Sequence, residues 1–418
     1  MSIRAVAESA KASLPALARS SGAARNAFLE RMAQNVRKSA KSLIAENAED
    51  VSAALAEGRT EAFLDRLALN QSRVDSMVKA LGEIASLPDP LYGMEGMERL
   101  DSGLAVGRMR VPLGVIAFIC EARPGAASEA AALAVKSGNA MVCKPGRESA
   151  RSSRFLGAIM KRSLGEAGLP EEAVTVLPAM DREEIIELVS LDGLVDLVIP
   201  RGGEGLIRMV AENSRVPVLK HYQGVCHLYV DRDADTETAV RVVVDAKTSR
   251  PATCNALECL LVHESAAPAL LAALVPELRN YRVSVRATES LLPLLAPMGE
   301  LARAAVPEDF DREYLDLVLN MASVPDLDAA LEHIRLHGSN HTESILTPDL
   351  ASAGRFVREV DASCVMVNAS TRLNDGGVLG LGGEIGISTS KLHAYGPMGL
   401  KELTARKFVV FGEGHVRG

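Results

Sequence analysis

Residues 249–258 read SRPATCNALE, a thiol between a proline-containing turn and an asparagine, ahead of the β-type run CLLVHE. A cysteine thiolate is the strongest ordinary nucleophile of a protein, and its use depends on access and on groups that favour the anion. Lys247 and Arg250, just upstream of Cys254, favour the thiolate electrostatically. The adjacent Asn255 and the local backbone N–H groups suit an oxyanion formed in acyl chemistry. A buried structural cysteine is the competing explanation of a lone Cys, and this stretch alone leaves both open.

Three glycine-rich turns offer places for a nucleotide. IPRGGEGLI (199–207) joins an expected strand to an expected helix, where backbone N–H groups of Gly202 and Gly203 and the charge of Arg201 can hold a phosphate. It is not GxGxxG. CKPGRES (143–149) lies at another strand end: across Lys144, Pro145, Gly146 and Arg147 the two cations reach a ribose or its 2′-phosphate, the alternative being a solvated basic turn. NDGGVLGLGGEIGIST (374–389) brings many glycines around one acid, Glu384, as close backbone approach to a ligand requires, and a lone carboxylate there suits ribose hydroxyls. EHIRLHGSNH (332–341) places His333 and His337 at i, i+4 spacing. Without HExxH, and with Gly338 ending the helix, no metal is assigned there; His341 reads better as a polar active-site residue.

These residues must be positioned by a fold. At 418 residues, 48% hydrophobic but only 3% aromatic with no Trp, the chain fits two or three domains with aliphatic cores, as in parallel α/β proteins. A net charge of −8 without a long basic block argues against nucleic acid. Six scattered cysteines with no CxxC suit a reducing compartment, and no apolar run reaches membrane-span length. The Ala/Ser/Arg-rich start has the composition of a transit peptide, but its amphipathic pattern runs on through FLERMAQNVRKSAKSLIAENAEDV and reads as helix, so a cytoplasmic protein is expected.

Residues 1–85 read as successive helices, broken by LPDPLYG (87–93), and LAVGRMRVPLGVIAFI (104–119) as a hairpin leading into a buried strand. From VIAFI the rhythm is β-α-β through AMVCK, VTVLP, VDLVIP and VPVLK. A second α/β stretch follows VCHLYVD, through ECLLVHES, YRVSVRA and SCVMVNAS. The tail TARKFVVFGEGHVRG reads as a terminal strand that meets the 102–113 hairpin.

Taken together, LDRLALNQSRVDSM with LPDPLYG, RVPLGVIAFICEARPG, SGNAMVCKPG, DLVIPRGGEGLI, GVCHLYVD, AKTSRPATCNALECLLV, NASTRLNDGG and LGLGGEIGISTSKLHAYGPMGLKELT resemble the γ-glutamyl phosphate reductase family, a branch of the aldehyde dehydrogenase superfamily, over nearly the whole chain. The resemblance implies an α/β fold with two parallel-sheet domains and a small β oligomerisation hairpin: residues 1–101 and 114–232 binding NADP, 233–394 catalytic with the nucleophile between the two, and 102–113 with 395–418 joining a homo-oligomer. It implies Cys254 as catalytic cysteine with Asn255 beside it, Lys144 to Arg147 and the 201–205 turn as cofactor positions, and Glu384 as the acid on the nicotinamide ribose. Arg123, His341, Asn368 and Arg372 become candidates for the substrate's phosphate or α-carboxylate, arginine through bidentate pairing. The implied reaction is NADPH-dependent reduction of L-glutamate 5-phosphate to glutamate 5-semialdehyde through a Cys254 thioester, the second step of proline synthesis. Glutamate 5-kinase, which makes that acyl phosphate, is then a candidate partner.

Two departures stand out. After EARP the family often has Asn, and here it is Gly125; where many relatives carry the glutamate of ETGVGN, this chain has LKHYQGV with Lys220 and His221. Absence of a glutamate base there disfavours hydrolysis of the thioester. The rivals are a hydrolytic semialdehyde dehydrogenase, a CoA-acylating reductase, and a dinucleotide-binding protein without catalysis.

Overall fold

The computed structural model describes residues 2–121, 123–178 and 180–417, which pack as two units. The first comprises the chain up to Lys220, Gly380–Ile387 and the chain from Pro397 on; the second comprises His221–Leu379 and Ser388–Gly396.

The first unit begins with helices α1 (Ile3–Arg19), α2 (Gly22–Lys38), α3 (Ala40–Ala56), α4 (Glu61–Leu67) and α5 (Gln71–Ser86). Ser2, Ser21, Thr60 and Asn70 cap four of them, each side chain accepting an N–H of the first turn. In α1, Ile3, Val6, Ala7, Ala10 and Leu17 form the buried stripe, so the Ala/Ser/Arg-rich start is an amphipathic helix of the fold. The proline-rich break after α5 sets Asp89 against the guanidinium of Arg25, at 2.7 Å and almost wholly buried on the arginine side. No helix among the described residues is long and apolar enough to cross a membrane.

A hairpin of β1 (Met94–Arg99) and β2 (Ala105–Pro112) leads into β3 (Val115–Cys120), α6 (Pro124–Lys136), β4 (Ala140–Lys144), α7 (Ala150–Glu166), β5 (Val174–Val176), α8 (Arg182–Val189), β6 (Leu197–Arg201) and α9 (Glu204–Asn213). The four strands β5-β4-β3-β6 form a parallel sheet. VIAFIC and AMVCK are buried end to end, as strands covered on both faces must be. VPVLK, expected as a further strand, makes one bridge only, Val198 to Val218. Pro217 offers a carbonyl to Val198 N–H but has no N–H to continue a ladder.

The second unit contains β7 (Cys226–Val230), α10 (Thr236–Thr248), β8 (Leu257–His263), α11 (Ala267–Asn280), β9 (Ser284–Ala287), β10 (Ala302–Ala304), β11 (Val318–Val324), α12 (Leu327–His337), β12 (Thr342–Leu346), α13 (Leu350–Glu359) and β13 (Cys364–Val367). They build a parallel sheet in the order β10-β9-β11-β8-β7-β12-β13. Strand alternation splits the core. Leu228, Leu260, Val262 and Met321 pack with Val243 of α10 and Leu271 of α11, whereas Tyr229, Leu261 and Ile345 pack with Phe310, Ile334 of α12 and Phe356 of α13. Burying each such side chain contributes about 1.5–3 kcal/mol. Four polar side chains, His227, Cys259, His333 and Glu343, interrupt the second of these cores and need an explanation.

After β14 (Gly386–Ser388) and β15 (Gly396–Met398), which pair with each other, β16 (Thr404–Phe411) lies antiparallel on β2 from Thr404↔Pro112 to Phe411↔Ala105. The tail therefore meets the hairpin as expected, but the hairpin starts at Met94, inside the segment assigned by sequence to the nucleotide domain. The expected boundary at 232/233 also moves, because β7 hydrogen-bonds to β8 and β12 and so belongs to the second unit.

Candidate active site

Cys254 lies in the connection from α10 to β8, and that connection is clamped at both ends. Lys247, in the last turn of α10, reaches Glu258 of β8 at 3.1 Å, both side chains fully buried. Burial pushes the Lys247 pKa down against the pull of Glu258, and raises Glu258 to about 7 against the pull of Lys247. The sequence argument gave Lys247 to the Cys254 thiolate; in the structure its charge is spent on Glu258 instead.

Within the connection, Ala256 N–H closes a turn on Thr253 O at 2.9 Å and the Thr253 hydroxyl reaches Arg250 O at 2.8 Å. The Cys226 thiol donates to the Cys254 carbonyl at 3.2 Å. Gly224 approaches so closely that a Cβ there would stand 1.9 Å from Cys254 O and 2.9 Å from its Cα. Only glycine permits that approach. The result is a half-buried thiol on a backbone held from below.

Two imidazoles face the thiol. A ring nitrogen of His221, a ring nitrogen of His341 and the Cys254 sulfur all lie within 4.8 Å of one another, with the two rings edge-on at 5.5 Å. His341 is fully buried, its Nδ1 2.7 Å from Thr342 Oγ1. Gly224, Cys254 and His341 precede β7, β8 and β12 respectively, three adjacent parallel strands, so the cluster sits at the amino edge of the sheet. His341, expected on the substrate's anionic groups, is placed beside the Cys254 thiol, where an imidazole can take up or return a proton.

Asn255 does not present its amide to an oxyanion. Its Nδ2 donates to Asn374 O at 2.9 Å, while its Oδ1 accepts from Arg372 Nη1, so the two carbonyl and guanidinium partners use the side chain at both ends. Asn374 Nδ2 continues to Thr342 Oγ1 at 2.7 Å, linking the Cys254 turn to the His341 neighbourhood. Arg372 is half-buried, its Nε buried without a hydrogen bond among the described residues. Burial and then the nearby Arg250 lower its pKa, with Asp245, Asp375 and Cys254 opposing. A second guanidinium and the Cys254 thiol are thus its electrostatic neighbours. Asn368 fits its assignment less well. Its side chain clips Thr347, donating to Thr347 O and accepting Thr347 N–H at 2.9 Å each. It follows β13 at the carboxyl edge of the sheet, a strand length of about 16 Å from the Cys254 edge.

In the first unit the candidate cofactor residues line the opposite kind of edge. The register Ile119↔Lys144 and Cys120↔Arg201 sets both cations at the carboxyl ends of parallel strands, where open α/β sheets take nucleotides. Lys144 is buried, which lowers its pKa, while Cys120, Glu148 and Glu121 pull it back. Pro145 and Gly146 are buried beneath it and Arg147 is exposed on the next turn. Glu384 lies 3.5 Å from Arg201, and its backbone N–H is held by Glu129 at 3.0 Å. A buried ammonium, an exposed arginine and a carboxylate suit a phosphate-bearing dinucleotide and its ribose hydroxyls. The 201–205 turn differs from expectation. Glu121 donates no proton but accepts Gly203 N–H at 3.1 Å, and a Cβ on Gly202 would stand 2.6 Å from its carboxyl carbon. The turn is already satisfied by a carboxylate of its own chain. Arg123 is exposed at the N-cap of α6.

Sequence reasoning missed Gly224 and the role of His221. The available signal was a glycine two residues before a buried strand, CHLYV, in a segment already noted for its histidine.

The aldehyde dehydrogenase family model matches residues 1–292. A γ-glutamyl phosphate reductase of Anaeromyxobacter sp. (strain Fw109-5) is 52% identical over 415 residues, 99% of this chain and 97% of its own. That of Xanthomonas axonopodis pv. citri is 48% identical over 100% of both chains. The crystal structure of γ-glutamyl phosphate reductase from Thermotoga maritima superposes with a TM-score of 0.96 at 40% identity, again over 100% of both.

Proposed function

The chain belongs to the aldehyde dehydrogenase family, in its γ-glutamyl phosphate reductase branch, and we propose on that footing that Cys254 is the nucleophile of an acyl-phosphate reductase. The reaction is reduction of L-glutamate 5-phosphate to L-glutamate 5-semialdehyde with release of phosphate, a step of proline biosynthesis. The observation that carries the reading is the half-buried Cys254 thiol with His221 and His341 nitrogens within 4.8 Å and Arg372 as a charged neighbour.

An imidazole takes the Cys254 proton, the sulfur attacks the acyl carbon, the C–O bond to phosphate breaks, and a thioester remains on Cys254. Arg372, with its buried Nε, holds an anionic group of the substrate, and Arg123 is the second candidate for that task. A reduced nicotinamide dinucleotide, when bound, would supply the hydride that takes the thioester carbonyl to the aldehyde level. Lys144 and Arg147 hold its phosphates, including the 2′-phosphate of NADPH, and Glu384 takes ribose hydroxyls, with Arg201 positioning that carboxylate. As the carbon–sulfur bond breaks, an imidazolium returns the proton. The 219–225 segment offers no carboxylate to activate water against the thioester, which favours reduction over hydrolysis. The sheet β1-β2-β16 exposes Met94, Met97, Phe408, Val410 and Phe411 and is the surface for a homo-oligomer. The protein acts in the cytoplasm beside the kinase that supplies its labile acyl phosphate.

The test is the reverse assay: glutamate 5-semialdehyde with NADP⁺, following NADPH with and without phosphate, on wild type and Cys254→Ala. Activity that needs phosphate and disappears in the variant is expected. Phosphate-independent NADPH formation would establish the hydrolytic reading, and full activity in Cys254→Ala would return the thiol to a structural role.

A further inference from the structure

A second thiol–imidazole cluster lies in the core beneath α12 and α13, outside the proposed chemistry. A ring nitrogen of His227 on β7, the Cys259 sulfur on β8 and a ring nitrogen of His333 on α12 all lie within 4.8 Å of one another. Cys259 Sγ and His333 Nε2 are 3.6 Å apart. Tetrahedral zinc, with bonds of about 2.0 Å to nitrogen and 2.3 Å to sulfur, needs ligand atoms about 3.3–3.8 Å apart. One pair already meets that spacing, and small rotations of imidazole rings bring in the third.

The surroundings fit a cation. Glu343 on β12 accepts the His227 backbone N–H at 2.6 Å and approaches Nδ1 at 3.1 Å, so Nδ1 carries a proton and Nε2 is the ring's other face. That Nε2 is fully buried and makes no hydrogen bond among the described residues; Glu343 Oε1 is likewise buried without one. A carboxylate orienting an imidazole whose second nitrogen meets a metal is the usual outer-shell arrangement of zinc sites. The shell is otherwise apolar, with Phe310 edge-on to His333 at 5.1 Å and Tyr229, Leu261 and Ile345 around it. His333 is only half-buried and gives the route in.

We propose that His227, Cys259 and His333 form a binding site for a thiophilic divalent cation of the Zn²⁺ class, with Glu343 orienting His227. The ion ties α12 to β7 and β8 and takes no part in acyl transfer. The EHIRLHGSNH spacing thus contributes one ligand, not two: His337 instead turns to Asp311 at 2.6 Å.

The test must separate this cluster from the Cys254 thiol. Full-length Cys254→Ala protein is titrated with Co²⁺, reading the near-ultraviolet sulfur-to-cobalt charge-transfer band and the visible bands of tetrahedral cobalt. One Co²⁺ per chain, displaced by Zn²⁺, is expected. The charge-transfer band disappears when Cys259→Ser is added, and His333→Gln, at a half-buried position of α12, weakens Co²⁺ binding by about tenfold or more. No charge-transfer band in the Cys254→Ala protein, a band that survives Cys259→Ser, or unchanged affinity in His333→Gln would each overturn the assignment. His333→Gln keeps the test open should Cys259→Ser fail to fold.

Discussion

Two clusters of one cysteine and two histidines occupy the same parallel sheet, five residues apart at their sulfurs, and they differ in the charge of what surrounds them. Arg372 has both Cys254 and Arg250 among its electrostatic neighbours, whereas in the second cluster Glu343 pairs with His227. Positive neighbours invite an anionic substrate to the first thiol, whereas a buried carboxylate invites a cation to the second. Their backbones differ as well. Cys254 rides on a connection pressed by Gly224, half-open to solvent, while Cys259 is locked in a strand with no exposure. Residue type therefore does not distinguish the proposed nucleophile from the proposed metal ligand. The third partner and the backbone that presents the sulfur do.

The backbone half of the comparison breaks most readily at Gly224. Gly224→Ala forces a methyl into the space of the Cys254 carbonyl and Cα, so the turn must shift by an ångström or more. Displacement on that scale costs on the order of 10²-fold in kcat, with KM for the dinucleotide unchanged because its proposed ligands lie in the other unit. Steady-state kinetics of the variant checks this. Near-wild-type kcat would mean that the close approach of Gly224 does not hold the nucleophile.

Why Gly224 escaped the sequence reading is physical. SRPATCNALE, CKPGRES, IPRGGEGLI and GGEIG are contiguous, so residue types and spacing alone made Cys254, Lys144, Arg201 and Glu384 candidates before any fold. Gly224 acts only through a backbone contact with a residue 30 positions away. The Cys259 cluster needs three elements to meet on one sheet face, and β12, TESIL, carries Thr, Glu and Ser through a buried strand, a pattern that polarity alone assigns to a loop. Asn255 and Lys247 were visible but misassigned, since their neighbours in sequence were not their partners in space. The two α/β units and the return of the tail to the hairpin were legible because strand–helix alternation is periodic and local.

The charge half is sharpened at Arg372. Arg372→Gln removes the guanidinium but keeps a donor for Asn255, and a charge-assisted hydrogen bond to an anion contributes about 1.5–3 kcal/mol. The expected result is a rise of roughly 10- to 100-fold in KM for phosphate in the reverse assay, with a smaller fall in kcat. A variant whose kcat alone declines would show that Arg372 only braces Asn255.

The smallest expected effect concerns the clamp beneath Cys254. Burial raises Glu258 to about 7 from an ordinary 4.5, with Lys247 opposing. Between those values the folded protein keeps a proton on Glu258 that the unfolded chain has lost, so the free energy of unfolding falls as pH rises. This contribution is full below about pH 4.5 and lost as pH passes 7. Lys247, lowered by burial, acts with the opposite sign between its folded value and the ordinary 10.5, since there the unfolded chain holds the extra proton. Denaturant unfolding at pH 5 and pH 7 should therefore show wild type losing stability relative to Lys247→Met/Glu258→Leu, which lacks both titrating groups. Replacing a buried ion pair by apolar residues of similar size is often neutral or stabilising by about 1–4 kcal/mol, so the double variant should remain folded at both pH values. Equal pH dependence in the two proteins would show that the pair enters the fold already charged, and that the connection carrying Cys254 is held by its turn and by Gly224 alone.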